Sequence, residues 1–107
     1  MAKHKYGAKP TTVDGIRFAS KAEARRYNGL KMLERAGEIT RLELQPRYKI
    51  TINARLICTY VADFRYFDNR TKEHVIEDVK GMLTPVYKLK KKMVEAQYYP
   101  LKITEVK

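Results

Sequence analysis

Asp63 and the triplet Asp78-Val79-Lys80 lie on two strand-like segments, Thr59–Phe67 and His74–Lys80, joined by the turn-like stretch Asp68-Asn69-Arg70-Thr71-Lys72. A hairpin centred on Asn69–Thr71 sets Asp63 roughly opposite Asp78. Directly opposed residues in an antiparallel pair have Cβ atoms about 5 Å apart, and like charges placed there destabilise the sheet. Lys80 projects from the same face as Asp78, because strand side chains alternate with period two. Two carboxylates beside one lysine suit a divalent cation held between them, and their hard oxygens favour Mg²⁺ or Mn²⁺ over zinc. The chemistry that follows is phosphodiester hydrolysis. A metal held by Asp63, Asp78 and the backbone carbonyl of Val79 would lower the pKa of a bound water and polarise a phosphoryl oxygen. Glu23 would hold a second ion or orient waters of the first. Lys80 would position the attacking water or stabilise charge on the pentavalent transition state.

Spacing alone leaves a plainer account open. A solvent-facing sheet with scattered charges, Asp63 pairing with Arg65 or Lys80, explains the same residues. In so charged a chain one or two (Asp/Glu)-x-Lys triplets arise by chance, and Glu105-Val106-Lys107 also matches. Glu23 has two readings that do not exclude each other: the second half of a capping box, or a side chain leaning over the sheet toward Asp63. Glu77 points to the face opposite Asp78. His4 and His74 lack partners at metal-ligand spacing and read as surface residues. There is no Gly-rich phosphate loop, serine nucleophile elbow or zinc-type Cys/His cluster.

These residues must be positioned by one small domain, because 107 residues are too few for two. Lys plus Arg number 23 against 12 Asp plus Glu, a formal charge of +11, which points to a partner carrying phosphates, although a membrane surface would also accept it. No apolar run approaches the roughly 20 residues needed to span a bilayer. The basic start Met1-Ala2-Lys3-His4-Lys5-Tyr6 has no apolar signal core behind it, so a cytoplasmic site of action is expected. Cys58, alone in an apolar stretch, reads as a core thiol in a reducing compartment.

The elements follow the order α-β-β-β-α-β. Residues 1–13 carry Lys3, Lys5 and Lys9 without periodicity and are expected to form a flexible basic arm before a single domain over 14–107. Asp14-Gly15 signals a turn into a short extended piece, Ile16–Phe18. Ser20-Lys21-Ala22-Glu23 has capping-box spacing, and Ala22, Tyr27, Leu30, Leu33 and Ala36 give the first helix an apolar stripe that Gly37 ends. Ile39–Leu44 and Tyr48–Ile52 read as strands interrupted at Gln45-Pro46. Asn53-Ala54 turns into Leu56–Phe67, and Val75–Val79 is the third main strand. Thr84-Pro85 caps a second helix whose inner face is Val86, Leu89, Met93 and Ala96 or Gln97. Pro100 stops it before a last strand, Leu101–Val106. The expected class is α/β (α+β), a mixed sheet flanked by helices.

Glu23, Asp63 and Asp78-Val79-Lys80, in this order of elements, resemble the PD-(D/E)XK nuclease superfamily. More narrowly, the chain is similar to a group of small phage-encoded proteins of unassigned function that carry Phe-x-Ser-Lys-x-Glu-Ala, Leu-Gln-Pro, Tyr-x-Ala-Asp-Phe and Glu-Asp-Val-Lys-Gly segments. Here these lie at Phe18–Ala24, Leu44–Pro46, Tyr60–Phe64 and Glu77–Gly81. The resemblance covers Asp14 to Val106 and implies a restriction-endonuclease-like αβββαβ core and Mg²⁺-dependent endonuclease activity on DNA. The nearest functional relatives it implies are Holliday-junction resolvases and transposon-type endonucleases. Ala62 stands where the superfamily has its eponymous proline. Gln45 either approaches the site or only shapes the bulge before Pro46, and the second is the expectation.

Lys21, Arg25 and Arg26 on the first helix, and Lys88, Lys90, Lys91 and Lys92 on the second, are then expected phosphate contacts, with Tyr87 available to stack or pack. Nothing suggests base readout in a major groove, so recognition by shape or branch is expected. The leading expectation is a homodimeric, metal-dependent endonuclease for branched or duplex DNA. The alternatives are a catalytically silent nucleic-acid-binding or inhibitor protein with the nuclease fold, and an RNA-directed nuclease.

Overall fold

The computed structural model of the chain describes residues 9–107. It begins with a hairpin in which β1 (Thr11–Val13) pairs antiparallel with β2 (Ile16–Phe18) across Asp14-Gly15, both at positive φ. Of the expected arm, residues 1–8 lie outside the described residues, while Thr11–Val13 belong to the fold. Val13 and Ile16 pack onto the α1-side core, which draws this short segment into a strand.

Helix α1 (Lys21–Arg35) starts at the capping box: Ser20 Oγ accepts the Glu23 N–H at 3.1 Å. Gly37, at φ +79°, closes it, with the Glu38 N–H donating to Leu33 O at 2.9 Å. Ala24, Tyr27 and Leu30 are its buried residues, so the stripe runs through Ala24 and not Ala22.

Six further strands follow: β3 (Ile39–Leu44), β4 (Arg47–Ile52), β5 (Arg55–Val61), β6 (Phe64–Asp68), β7 (Glu73–Val79) and β8 (Ile103–Val106). They form a mixed four-stranded sheet, β3-β6-β7-β8, and a two-stranded sheet, β4-β5. The strand expected to run from Leu56 to Phe67 is broken at Ala62-Asp63, facing the break at Gln45-Pro46. Register is nonetheless continuous: Leu44↔Phe64 on one side leads to Arg47↔Val61 on the other. Two hydrogen bonds bridge the corner, Gln45 N–H to Asp63 O (2.9 Å) and Ala62 N–H to Pro46 O (3.1 Å). The two sheets are therefore one long hairpin bent where a proline cannot donate to the ladder. Its tip is Asn53-Ala54, both left-handed. With each bent strand counted once, the order from α1 onward is α-β-β-β-α-β, and the fold is α/β with a mixed sheet flanked by two helices.

Helix α2 (Pro85–Gln97) has Thr84 Oγ1 accepting the Tyr87 N–H at 3.1 Å and Pro85 at its first turn. It returns the chain to β8, which pairs parallel with β7. Its buried residues are Tyr87 and Val94, with Met93 and Tyr98 packed beside them. The expected inner face is off by one position: Val86 is 64% and Leu89 57% exposed. Tyr87 wins the inward position because its ring fills the space beside Tyr60 and its hydroxyl reaches Glu105. The sheet thus separates two cores. Phe18, Tyr27, Leu30, Phe64 and Tyr66 lie on the α1 side, and Tyr48, Ile50, Tyr60, Ile76 and Ile103 on the α2 side.

One ion pair sets how α1 lies on the sheet. Glu77, 1% exposed on the α1 side, accepts from Arg26 Nε at 2.7 Å and Arg26 Nη2 at 2.6 Å, and from the Tyr66 hydroxyl. Arg26 lies three residues after Glu23, on the same side of the helix, so this fork also orients Glu23. Arg26→Met should lower stability by about 3 kcal/mol, because it strands a buried carboxylate. Urea unfolding should show at least half of that loss recovered when Glu77→Gln is added.

Candidate active site

Asp63 sits at the corner of the bent hairpin, where β5 gives way to β6. Its N–H donates to Glu77 O at 3.0 Å, continuing the β6–β7 pairing by one residue and setting Asp63 beside Asp78. Its carboxylate accepts the Val79 N–H at 2.6 Å. Asp78 is 3% exposed, on the α2 side of the sheet, where the Tyr60 hydroxyl donates to its Oδ2. Lys80 Nζ stands 3.2 Å from Asp78 Oδ1 and 4.1 Å from the centre of the Tyr87 ring. The ammonium is thus held between a carboxylate and an aromatic face.

Glu23 completes the group from the first turn of α1. Burial raises its pKa and the Asp78 charge raises it further, while Lys80 and hydrogen bonds from the Ala19 backbone and Asp63 oppose the rise. Asp63 is pushed up to about 8, first by burial, then by the Glu23 and Asp78 charges and a hydrogen bond with Asp78, against the lowering effect of the Val79 N–H. Three carboxyl groups therefore feel one another, and Asp63 keeps a proton well above the usual carboxylate range. Burial and the contact with Asp78 likewise raise the pKa of Tyr60, so its hydroxyl is a donor at neutral pH.

Glu23, Asp63, Asp78 and Lys80 are brought together as the sequence suggested. The surface account is not: Asp78 is buried, and Arg65 pairs with Glu43, its direct partner on the neighbouring strand β3. Among the described residues, however, no group of three or more His, Cys, Asp or Glu side chains is arranged to hold a metal ion. The reason is visible in the contacts. Asp63 Oδ2 is turned to the Val79 N–H, and both Asp78 oxygens are turned to Tyr60 and Lys80.

Residues 3–107 match the model of a family described as a protein of unknown function (DUF1064). The chain belongs to that family. No curated protein and no solved structure matches it.

In this DUF1064 chain several expected roles change. Arg26 is not a free phosphate contact, because its guanidinium is consumed by Glu77. Lys91 bridges to Glu105 at 3.2 Å, and Lys90 is half-buried. Tyr87 packs under Lys80 and donates to Glu105 at 2.9 Å, so its ring is not open for stacking. Lys21, Arg25, Lys88 and Lys92 remain exposed. Glu105, opposite Asp78 in the parallel β7–β8 register, anchors α2 to β8, and its pKa is lowered first by the Tyr87 hydroxyl and then by Lys91. His74 is exposed, with its ring edge-on to Phe67, and His4 lies outside the described residues. Cys58 is half-buried against the α2-side core.

Tyr60 was not legible as a site residue, although it opens the same Tyr-x-Ala-Asp-Phe segment as Asp63. Gln45 takes part in the corner through its N–H bond to Asp63 O, and it also lines a cleft with Glu23, Asp63 and Arg17 of β2.

The raised Asp63 pKa carries a stability consequence. The folded state holds a proton up to about 8, whereas the unfolded chain releases it near 3.8. The resulting penalty is absent below the unfolded value and complete above the folded one, so this contribution to stability improves as pH falls. Asp63→Asn removes the penalty and keeps an acceptor for Val79. In EDTA, it should raise Tm by about 5 °C near pH ~9, with the gain vanishing near pH ~4 in thermal melts.

Proposed function

We propose that the protein is a Mg²⁺- or Mn²⁺-dependent DNA endonuclease, structure-specific for branched DNA in the manner of a Holliday-junction resolvase. The observation that carries this reading is the convergence of Glu23, Asp63, Asp78 and Lys80 at the bend of the sheet, where burial and the neighbouring carboxyl groups raise the pKa of Asp63. Carboxyl groups crowded in this way raise one another's pKa, and hard oxygens of this kind take a divalent ion. Asp63, Asp78, the Val79 carbonyl and Glu23 are the groups that would hold it. When bound, the ion would supply Lewis-acid polarisation of a phosphoryl oxygen and a more acidic water.

The chain's own residues do the rest. Lys80, steadied on the Tyr87 ring, presents its ammonium to charge developing on the phosphoryl oxygens. Tyr60 holds one Asp78 oxygen in a fixed direction. Lys21, Arg25, Lys88 and Lys92 give exposed positive charge to the DNA backbone, so binding weakens steeply with salt. Two copies of the chain, acting as a homodimer, would make the two nicks that a junction requires. The work would be done in the cytoplasm, that of the host cell if a phage encodes the chain. Among the described residues no helix is long and apolar enough to cross a membrane.

A second reading has its own support: a nucleic-acid-binding or inhibitor protein that keeps the fold without cleaving. Val79, Tyr60 and Lys80 already occupy carboxylate oxygens that a metal would need.

Four-way junction, flap, duplex and single-stranded DNA, and an RNA duplex, each incubated with Mg²⁺, Mn²⁺ or EDTA, separate these readings. Cleavage of junction DNA with either metal and none in EDTA is expected. Asp78→Asn and Lys80→Met should each lower the rate on the order of 10²–10³-fold while junction binding persists. Binding without cleavage of any substrate would establish the second reading. Cleavage of RNA alone would overturn DNA as the substrate.

A further inference from the structure

Gln45 has a backbone that its residue type does not favour. Its φ is +53°, left-handed, and the proline that follows disfavours right-handed helical geometry at this position. Asp14, Asn53, Ala54 and Lys72 are also left-handed, but they sit in turns between paired strands, and Arg41, the other such residue, sits at the β3 bulge between Thr40 and Glu43. Gln45 sits at the corner of the bent hairpin, where its N–H is committed to Asp63 O. Glycine would meet that backbone demand without strain. A side chain kept at such a position points to a use for it.

That side chain is exposed and lines a cleft of about 210 Å³. One end of the cleft is formed by the acidic pair Glu23 and Asp63. Its walls include Ile16 of β2 and Leu44 of β3, and Arg17 brings a cation. The cleft therefore sets an apolar wall, a carboxamide that both donates and accepts, and a guanidinium side by side, next to the carboxyl groups. An apolar wall suits a base or sugar face, the carboxamide suits a base edge, and the guanidinium suits a phosphate.

We propose that this cleft is a subsite for a single unpaired nucleotide flanking the scissile phosphate. The nucleotide's base rests against Ile16 and Leu44, Gln45 hydrogen-bonds the base edge, and Arg17 holds the adjoining phosphate. A selectivity for branched DNA then arises here where the branch is opened or carries a flap, because these offer an unpaired nucleotide and an intact duplex offers one only by flipping a base out. This inference rests on the nuclease reading for the identity of the neighbouring phosphate, but the subsite itself makes a claim about binding.

The test compares Gln45→Gly and Arg17→Ala with the wild-type chain, measuring equilibrium binding in EDTA to a duplex and to the same duplex bearing one unpaired nucleotide. Cleavage of both is followed in Mg²⁺. The wild type should prefer the unpaired-nucleotide DNA about tenfold, the scale of one base stacked and hydrogen-bonded. Gln45→Gly should keep or raise Tm yet lose that preference, whereas a residue that only shaped the corner would leave binding unchanged. Arg17→Ala should lose it too and reduce the salt slope by about one. No preference in the wild type, or variants that bind as the wild type does, would overturn the subsite. Preference without cleavage would leave the subsite standing and remove the enzyme reading.

Discussion

Three hydrogen bonds to backbone fix Asp63, and the geometry of the site depends on them. Its carbonyl accepts from Gln45 across the corner, its N–H donates to Glu77, and its carboxylate accepts from Val79. The first ties it to the preceding bent strand and the other two to β7. A residue inside a regular ladder would have its side-chain direction set by alternation alone. At the break, Asp63 is free to turn its carboxyl toward β7 and toward the first turn of α1. The bend is thus what lets groups from β6, β7 and α1 meet.

The neighbouring contacts hold that meeting point from two sides. Below the sheet, the Arg26–Glu77 fork fixes α1, and with it Glu23. Above the sheet, Tyr60 holds Asp78, Tyr87 carries Lys80, and Glu105 holds Tyr87. Each of these partners is aromatic or charged, and each leaves its own polar atoms satisfied: among the described residues no buried side-chain nitrogen or oxygen lacks a partner. The outlay falls on Asp63, whose carboxyl is buried among like charges. A fold selected for stability alone would place a neutral residue there, and such local cost is characteristic of functional sites.

The element order was legible because it rests on local signals: the capping box at Ser20, Gly37, the Asn53-Ala54 turn and Thr84-Pro85 all act where the sequence indicates. The opposition of Asp63 and Asp78 was legible too, since turn length fixes hairpin register. What failed depends on tertiary choice. The inner face of α2 shifted from Val86 and Leu89 to Tyr87 because an aromatic ring with a hydroxyl partner outcompetes smaller side chains for the same space. Arg26 and Lys91 looked like free cations because their partners, Glu77 and Glu105, lie far along the chain. The left-handed backbone of Gln45 was not legible, because it is a property of the corner and not of glutamine.

The chain's charge is better understood once those internal pairs are set aside. Arg26, Arg65, Lys80 and Lys91 are held within the fold. Lys21 and Arg25 on α1, Arg17 on β2, and Lys88 and Lys92 on α2 are exposed. Lys21 belongs to the turn of α1 that carries Glu23, and α2 begins where Tyr87 meets Lys80. Lys21 and Arg17 therefore rim a small acidic centre, and Lys88 and Lys92 add positive charge along α2. Such a rim draws a polyanion in, while the centre repels whichever phosphate comes closest. Attraction at the rim and repulsion at the centre are compatible only if positive charge is added between the carboxyls and that phosphate. Lys80 supplies a single positive charge there, which is why the proposed reaction needs a divalent ion as well as the lysine.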